Sequence, residues 1–168
     1  MKMLSLILAL SLLAFSSANA GCDDPLGDGV DYTNCRFSEE QDLAGSYLPN
    51  SNLSFSSFIK VNFDKSIMMN SILAFGTFSE SSFIRSNLYE SNFTGANLEL
   101  SNFTSSNLTR ANFTGATLLG SDFTNSNLIE ANFTDANIND AKFDGANLNK
   151  AIWTNGKTCG PESIGICN

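Results

Sequence analysis

The sequence predicts an all-β solenoid, in which the chain coils and each coil stacks on the one before it. Three observations lead to this prediction. Every fifth residue from Leu43 to Trp153 is Leu, Phe, Met, Ile or Trp, over 23 successive positions. The residue two places earlier is Ser or Ala in 20 of those 23 cases. The residue immediately before the large one is most often Asn, as in Ala-Asn-Phe-Thr-Gly at 111–115.

A strict period of five fits neither an isolated helix nor a plain strand. A helix repeats every 3.6 residues, so it would scatter these large residues around its axis. A strand alternates its faces, so residues five apart would point in opposite directions. The pattern therefore requires a chain that turns a corner in each unit and directs each large central residue inward again.

These units resemble the pentapeptide-repeat family, whose consensus is a small residue, Asn or Asp, Leu or Phe, and two variable positions. Ala-Asn-Leu-Asn-Lys at 146–150 shows the pattern, and the resemblance covers about two thirds of the chain. It implies a right-handed quadrilateral parallel β-helix with four repeats per coil, so that residues 41–155 would make nearly six coils.

Four repeats per coil predict that residues 20 apart stack. One inner column would then be mostly Phe, running through Phe63, Phe83, Phe103, Phe123 and Phe143, and the opposite column would be Phe-rich and end at Trp153. On the outside, the same spacing predicts a ladder of alternating charge through Glu90, Arg110, Glu130 and Lys150.

Residues 1–20 are predicted to form a secretory signal peptide. Lys2 precedes the mostly apolar stretch 4–15, and Ala18-Asn19-Ala20 supplies small residues for cleavage before residue 21. Lipidation at Cys22 is an alternative, although Asn19 stands where that signal usually has an aliphatic residue. Export predicts the periplasm, a thylakoid lumen or the extracellular space, with no membrane insertion after the signal is removed.

Short caps are predicted at both ends of the repeat, at 21–40 and 156–168. In the first cap, one residue is inserted near 38–40, because Phe37 and Leu43 are six apart. The four cysteines, Cys22, Cys35, Cys159 and Cys167, all lie outside the repeat and allow three pairings. Local pairs 22–35 and 159–167 are the only pairing that does not tie the two ends of a long rod together. A metal site is disfavoured, because the chain has no His and neither spacing is CxxC.

Several apolar residues stand at outward positions, and most of them fall in the irregular part of the repeat at 66–75. They are a predicted interaction patch for a protein partner or a second copy: Phe55, Ile59, Ile67, Met69, Ile72 and Phe75. The competing interpretation is that the N-terminal segment covers them or that the coils tolerate them singly.

Charge and composition disfavour several functional classes. The chain has a net charge of −8, or −9 without Lys2, which argues against binding nucleic acid or anionic lipid. There is no His, and no phosphate-binding loop or metal-ligand spacing is present. A core filled by side chains leaves no room for a small-molecule ligand, so neither catalysis nor a cofactor is expected.

The sequence therefore predicts a non-catalytic exported protein that acts as a structural or protein-interaction module. The resemblance adds one alternative, a DNA mimic that inhibits or protects a type II topoisomerase. The outward column Thr94, Thr114, Thr134 and Thr154 adds another, an ice-binding ladder.

Overall fold

The computed structural model describes residues 22–168, which contain no helix and no extended strand. The predicted signal peptide lies outside the described residues. The chain is joined instead by isolated parallel bridges, and every bridge from Asp42↔Asn62 to Asn132↔Ile152 links residues 20 apart. Each coil makes four such bridges, so it has four sides. We number them from residues 41–45 (side 1), 46–50 (side 2), 51–55 (side 3) and 56–60 (side 4), with each side recurring every 20 residues.

Backbone hydrogen bonds join each coil to both of its neighbours. The N–H of a central residue donates to a carbonyl of the next coil, as from Phe93 to Asn112 at 2.7 Å. The N–H of the residue before it donates to the previous coil, as from Asn92 to Ser71 at 2.9 Å. The interior coils thus pair their backbone groups without any long strand.

The five-residue unit explains why Asn precedes the large residue. The Asn side chain accepts a hydrogen bond from the backbone N–H two residues later, as Asn112 Oδ1 does from Thr114 at 3.0 Å. This local bond closes a turn and directs the chain around the corner. The last residue of each unit, which we call the corner residue, then has a left-handed φ near 60° in nearly every repeat.

The core confirms the predicted columns. Phe63, Phe83, Phe103, Phe123 and Phe143 stack along side 1, with ring centroids 4.9–5.1 Å apart. The opposing column on side 3 carries Phe93, Phe113 and Phe133, and Trp153 closes it with its ring 5.5 Å from Phe133. Each buried Phe contributes roughly 1.5–3 kcal/mol through removal of apolar surface from water. The small Ser or Ala two places before a central residue is generally buried as well, which leaves room for the neighbouring rings.

The N-terminal segment continues the coil with an altered register. Its bridges Asp31↔Asn52 and Arg36↔Ser57 link residues 21 apart instead of 20, which is the offset that one inserted residue near 38–40 produces. Phe37 stacks on Phe58 at 4.1 Å and so extends the core. Cys22 and Cys35 form a disulfide across this segment.

At the other end the chain reverses direction. After a turn at Gly156, the backbone runs back antiparallel, with bridges Ile152↔Thr158 and Asn147↔Ile164. Cys159 and Cys167 form the second disulfide, so the structure has the two local pairs. This C-terminal segment covers sides 2 and 3 of the last coil.

Candidate interaction surface

Two exposed phenylalanines form an apolar feature on the outer surface of the described chain. Phe55 and Phe75 are corner residues of side 3, and 58% and 55% of their surfaces are exposed. Their rings stack with centroids 5.3 Å apart and planes 12° apart. Both have left-handed φ values of 60° and 58°, a conformation that a large side chain rarely adopts. The corner geometry directs both rings out from the coil, and more than half of each residue's surface stays exposed.

A glycine one coil later makes room for this stack. The ring of Phe75 lies over Gly95, where a Cβ atom would meet Phe75 Cε1 at 2.6 Å. Gly95 has a φ of 63°, so it meets both the conformational and the steric requirement of the site. The aromatic column therefore ends on a glycine, and its two rings remain exposed at the surface.

The structure distributes the six predicted patch residues over three sides. Phe55, Ile72 and Phe75 lie on side 3, and all three are exposed. Ile67 and the half-buried Met69 lie on side 2, and the half-buried Ile59 lies on side 4.

Within the regular repeat at 41–155, two other exposed large apolar residues were absent from the predicted patch. Tyr47 is 55% exposed and bridges to Ile67, so the two are adjacent on side 2. Leu100 is 57% exposed at a corner of side 4, where it covers Gly120. A search of outward positions for residues 20 apart would have found the first pair.

The predicted charge ladder occupies the corner between sides 2 and 3. The Arg110 guanidinium donates from Nε to Glu130 at 2.8 Å and from Nη1 to Glu90 at 3.1 Å. Lys150 Nζ lies 3.9 Å from Glu130 and extends the ladder.

These contacts change the pKa values within the ladder. A hydrogen bond with the Tyr89 hydroxyl, followed by one from Arg110, lowers the pKa of Glu90. The hydrogen bond from Arg110 also lowers the pKa of Glu130, and the bond to Glu130 is the main cause of the raised pKa of Arg110. The ladder is therefore a mixed-sign surface in which both acidic groups are held ionised.

The threonine column differs from a free hydroxyl array. Thr94, Thr114 and Thr134 are half-buried, and each hydroxyl donates to the Asn two residues earlier at 2.6 Å. These hydroxyl protons are used in closing the turns. The column is thus part of the repeat's own hydrogen bonding.

Within residues 22–168, no three His, Cys, Asp or Glu side chains come together as a metal site would require. The same residues include no helix long and apolar enough to cross a membrane.

Comparison with solved structures found matches at low sequence identity. A trypsin-treated form of QnrB1, a plasmid-mediated fluoroquinolone resistance protein, is 17% identical, with a TM-score of 0.49 over 74% of this chain and 72% of that one. Rfr23, a pentapeptide repeat protein of the cyanobacterium Cyanothece, is 23% identical, with a TM-score of 0.31 over 61% of this chain and 63% of that one. A pentapeptide repeat protein from the thylakoid lumen of Arabidopsis thaliana is 16% identical, with a TM-score of 0.36 over 69% of this chain and 67% of that one.

No curated protein matches the chain. The family model for pentapeptide repeats matches in eight copies, through overlapping segments from residue 42 to residue 155. That range contains nearly all of the regular repeat, and the predicted right-handed parallel β-helix is confirmed. The chain belongs to the pentapeptide-repeat family.

Proposed function

We propose that this protein is an exported, non-catalytic interaction module that docks a partner protein on side 3, through the Phe55–Phe75 stack. The observation that carries the proposal is the stack itself, two exposed aromatic rings held together at a corner. Exposed aromatic residues are enriched at the centres of protein interfaces, where they contribute much of the binding energy. Neither ring is needed for the core, which is formed by other residues.

The surroundings of the stack support a protein partner. Ile72 extends the apolar surface on side 3, while the neighbouring corners are polar. Lys60 and Glu80 lie 4.0 Å apart at the following corner, and Asn50 and Asn70 lie at the preceding one. An apolar centre between polar edges is the usual anatomy of a protein interface.

Export is supported by the two disulfides, since disulfides form and persist in oxidising compartments. The predicted signal peptide at residues 1–20 agrees with this location. The topoisomerase alternative would need an acidic surface that imitates DNA, whereas the best-defined charges of the rod alternate in sign along the ladder.

Two matched variants test the docking surface. We expect Phe75→Asp to abolish capture of the partner when the tagged protein is purified from its native compartment. Asp tolerates the left-handed conformation better than Phe, so the variant should keep its fold. Leu100→Asp is the control, because Leu100 is an equally exposed corner residue on side 4 with a φ of 57°.

The outcome is decided by the difference between the two variants. Loss of the partner in Phe75→Asp but not in Leu100→Asp supports the proposal. Equal retention in both variants, with unchanged thermal unfolding, would exclude the stack as the docking surface. A wild-type protein that captures nothing would favour a passive structural rod.

A further inference from the structure

The C-terminal end of the rod is only half covered. The C-terminal segment pairs with Asn147 on side 2 and Ile152 on side 3. Sides 4 and 1 of the last coil, residues 136–140 and 141–145, have no bridge to any described residue beyond them. Gly165 lies beside the second half of side 1, where a Cβ atom would stand 3.4 Å from the Phe143 carbonyl oxygen and 3.5 Å from the Gly145 nitrogen. The layer beyond the last coil is thus present over sides 2 and 3 and largely missing over sides 4 and 1.

The hydrogen bonding of these two sides shows the gap directly. One coil earlier, Leu118 donates to Asn137 and Phe123 donates to Lys142, each at 2.8 Å. In the last coil, six corresponding end-facing groups have no backbone partner among residues 22–168: the N–H groups of Ile138, Asp140, Phe143 and Gly145 and the carbonyls of Ala136 and Ala141. These groups form an open sheet edge, which readily pairs with another chain.

Side-chain exposure agrees with an open edge. Asn137 and Lys142 are exposed, whereas their counterparts one coil earlier, Thr117 and Asp122, are half-buried. Ile138 is also only partly buried, although the central residues of interior coils are fully buried. The end of the core is therefore less covered on this half.

The C-terminal segment has an open edge of its own. Its bonds to the last coil are made by the neighbours of Thr158 and Ile164, so the backbone groups of these two residues face away. Within the described chain, neither Thr158 nor Ile164 has a backbone partner. Two isoleucines of this segment, Ile164 and Ile166, are 53% and 66% exposed.

We propose that this end is an interface for a second copy of the same chain. A two-fold axis perpendicular to the rod, through the corner between sides 3 and 4, exchanges side 3 with side 4 and side 2 with side 1. It places the C-terminal segment of each copy over the uncovered half of the other. The two half-layers together then form one complete layer between the copies. A single straight peptide fits less well, because the open edge turns a corner at Asp140.

The free backbone groups of the two copies match in register. The symmetry runs the segment of one copy parallel to the open edge of the other and places Thr158 over Asn137. In a parallel bridge, one residue bonds through its own N–H and carbonyl to the two residues that flank its partner. Thr158 then donates to Ala136 and accepts from Ile138, which are two of the free groups on side 4.

Side 1 repeats this match. Ile164 lies over Lys142, donates to the carbonyl of Ala141 and accepts from the N–H of Phe143. The free backbone groups of Thr158 and Ile164 therefore meet four of the six free groups of the open edge, with donors opposite acceptors, and only the corner N–H groups of Asp140 and Gly145 are not matched. Side chains agree, because the exposed Ile164 would cover the exposed aliphatic stem of Lys142.

The test replaces Ile164 by residues of opposite charge. The self-association of the exported chain is then measured by sedimentation equilibrium. Ile164→Glu and Ile164→Lys lose the same apolar contact, but they place opposite charges over Lys142 of the other copy. We expect Ile164→Lys to associate about tenfold more weakly than Ile164→Glu, since symmetry repeats each exposed pair twice. Adding Lys142→Glu to Ile164→Lys should restore association. Because Ile164 pairs with Asn147 in its own copy, the rescue reports a contact between copies.

Hydrogen exchange gives an independent readout. The Phe143 amide should gain protection as protein concentration rises, while the bonded Phe123 amide is protected at all concentrations. A chain that stays monomeric at about 100 µM would overturn the proposal. The proposal would also be overturned by a dimer in which the Phe143 amide stays unprotected and whose strength of association does not change with the charge substitutions. Phe75→Asp should leave self-association unchanged, which separates this interface from the docking surface on side 3.

Discussion

The corner residue shows how one position serves both fold and surface. Its left-handed φ is a requirement of the coil, because the chain must turn four times in 20 residues. A large side chain at this position can lie over the corner of the next coil and restrict the residue found there. Glycine therefore follows Phe75 at position 95 and Leu100 at position 120.

Gly95 and Gly115 offer a matched test of this coupling. Both have a left-handed φ, but a Cβ at Gly115 meets no atom within 4 Å, whereas one at Gly95 collides with Phe75. We expect Gly115→Ala to lower the free energy of unfolding by about 1–2 kcal/mol, the cost of the left-handed conformation. Gly95→Ala should cost more, as measured by urea denaturation. The excess should disappear in a Phe75→Ala background; equal losses in both single variants would contradict the seating of Phe75 on Gly95.

At the scale of the element, the ladder behaves as one electrostatic unit centred on Arg110. The folded pKa values of Glu90 and Glu130 lie below the ordinary value of 4.5. Such carboxylates stabilise the fold above their unfolded pKa, and this stabilisation is lost as pH falls through the folded pKa. The ladder therefore stabilises the fold at neutral pH, and this stabilisation is lost in acid.

Arg110→Gln tests this dependence. We expect the pKa values of Glu90 and Glu130, followed by carboxyl NMR titration, to rise toward their ordinary value. Thermal stability should then fall less steeply below about pH 5 in the variant than in the wild type, because less carboxylate stabilisation remains to be lost. Added salt should reduce the difference, since these groups are exposed. Unchanged titration curves would show that Arg110 does not hold the two carboxylates.

The stacking of columns was predictable from the sequence because it depends on one number, the 20-residue coil. The Phe columns and the charge ladder follow from it, whereas the inserted residue near 38–40 follows from the spacing of six between Phe37 and Leu43. The surface patch was harder to predict, because residues close in sequence lie on different sides. Met69 and Ile72 are separated by a corner, while Phe55 and Phe75 are in ring contact.

The half-covered end could not be predicted from the repeat pattern at all. It depends on where the chain reverses after Trp153 and on how far the returning segment reaches. The turn at Gly156 could be predicted from its sequence, but the pairing of Thr158 and Ile164 with the last coil is a tertiary feature. The repeat period carries no information about it.

At the scale of the whole molecule, each coil contacts only its neighbours, so stability should be nearly one-dimensional. The disulfides lie at the two ends and should act locally. We expect Cys22→Ser/Cys35→Ser to remove hydrogen-exchange protection from the Tyr32 amide, which donates to a carbonyl of the next coil. The lost disulfide should cost this end about 2–4 kcal/mol. The Phe103 amide in the middle of the rod is the control and should stay protected.

The other end offers the matched experiment. We expect Cys159→Ser/Cys167→Ser to remove protection from the Lys150 amide, which donates to the carbonyl of residue 159 at 3.2 Å. The free-energy cost should again be about 2–4 kcal/mol. It should be confined to this end, because no covalent cross-link joins the coils between the two disulfides. Phe103 is again the control, and its N–H bonds to Asp122 at 2.7 Å. Loss of protection at Phe103 in either double variant would show instead that the rod unfolds as a single cooperative unit.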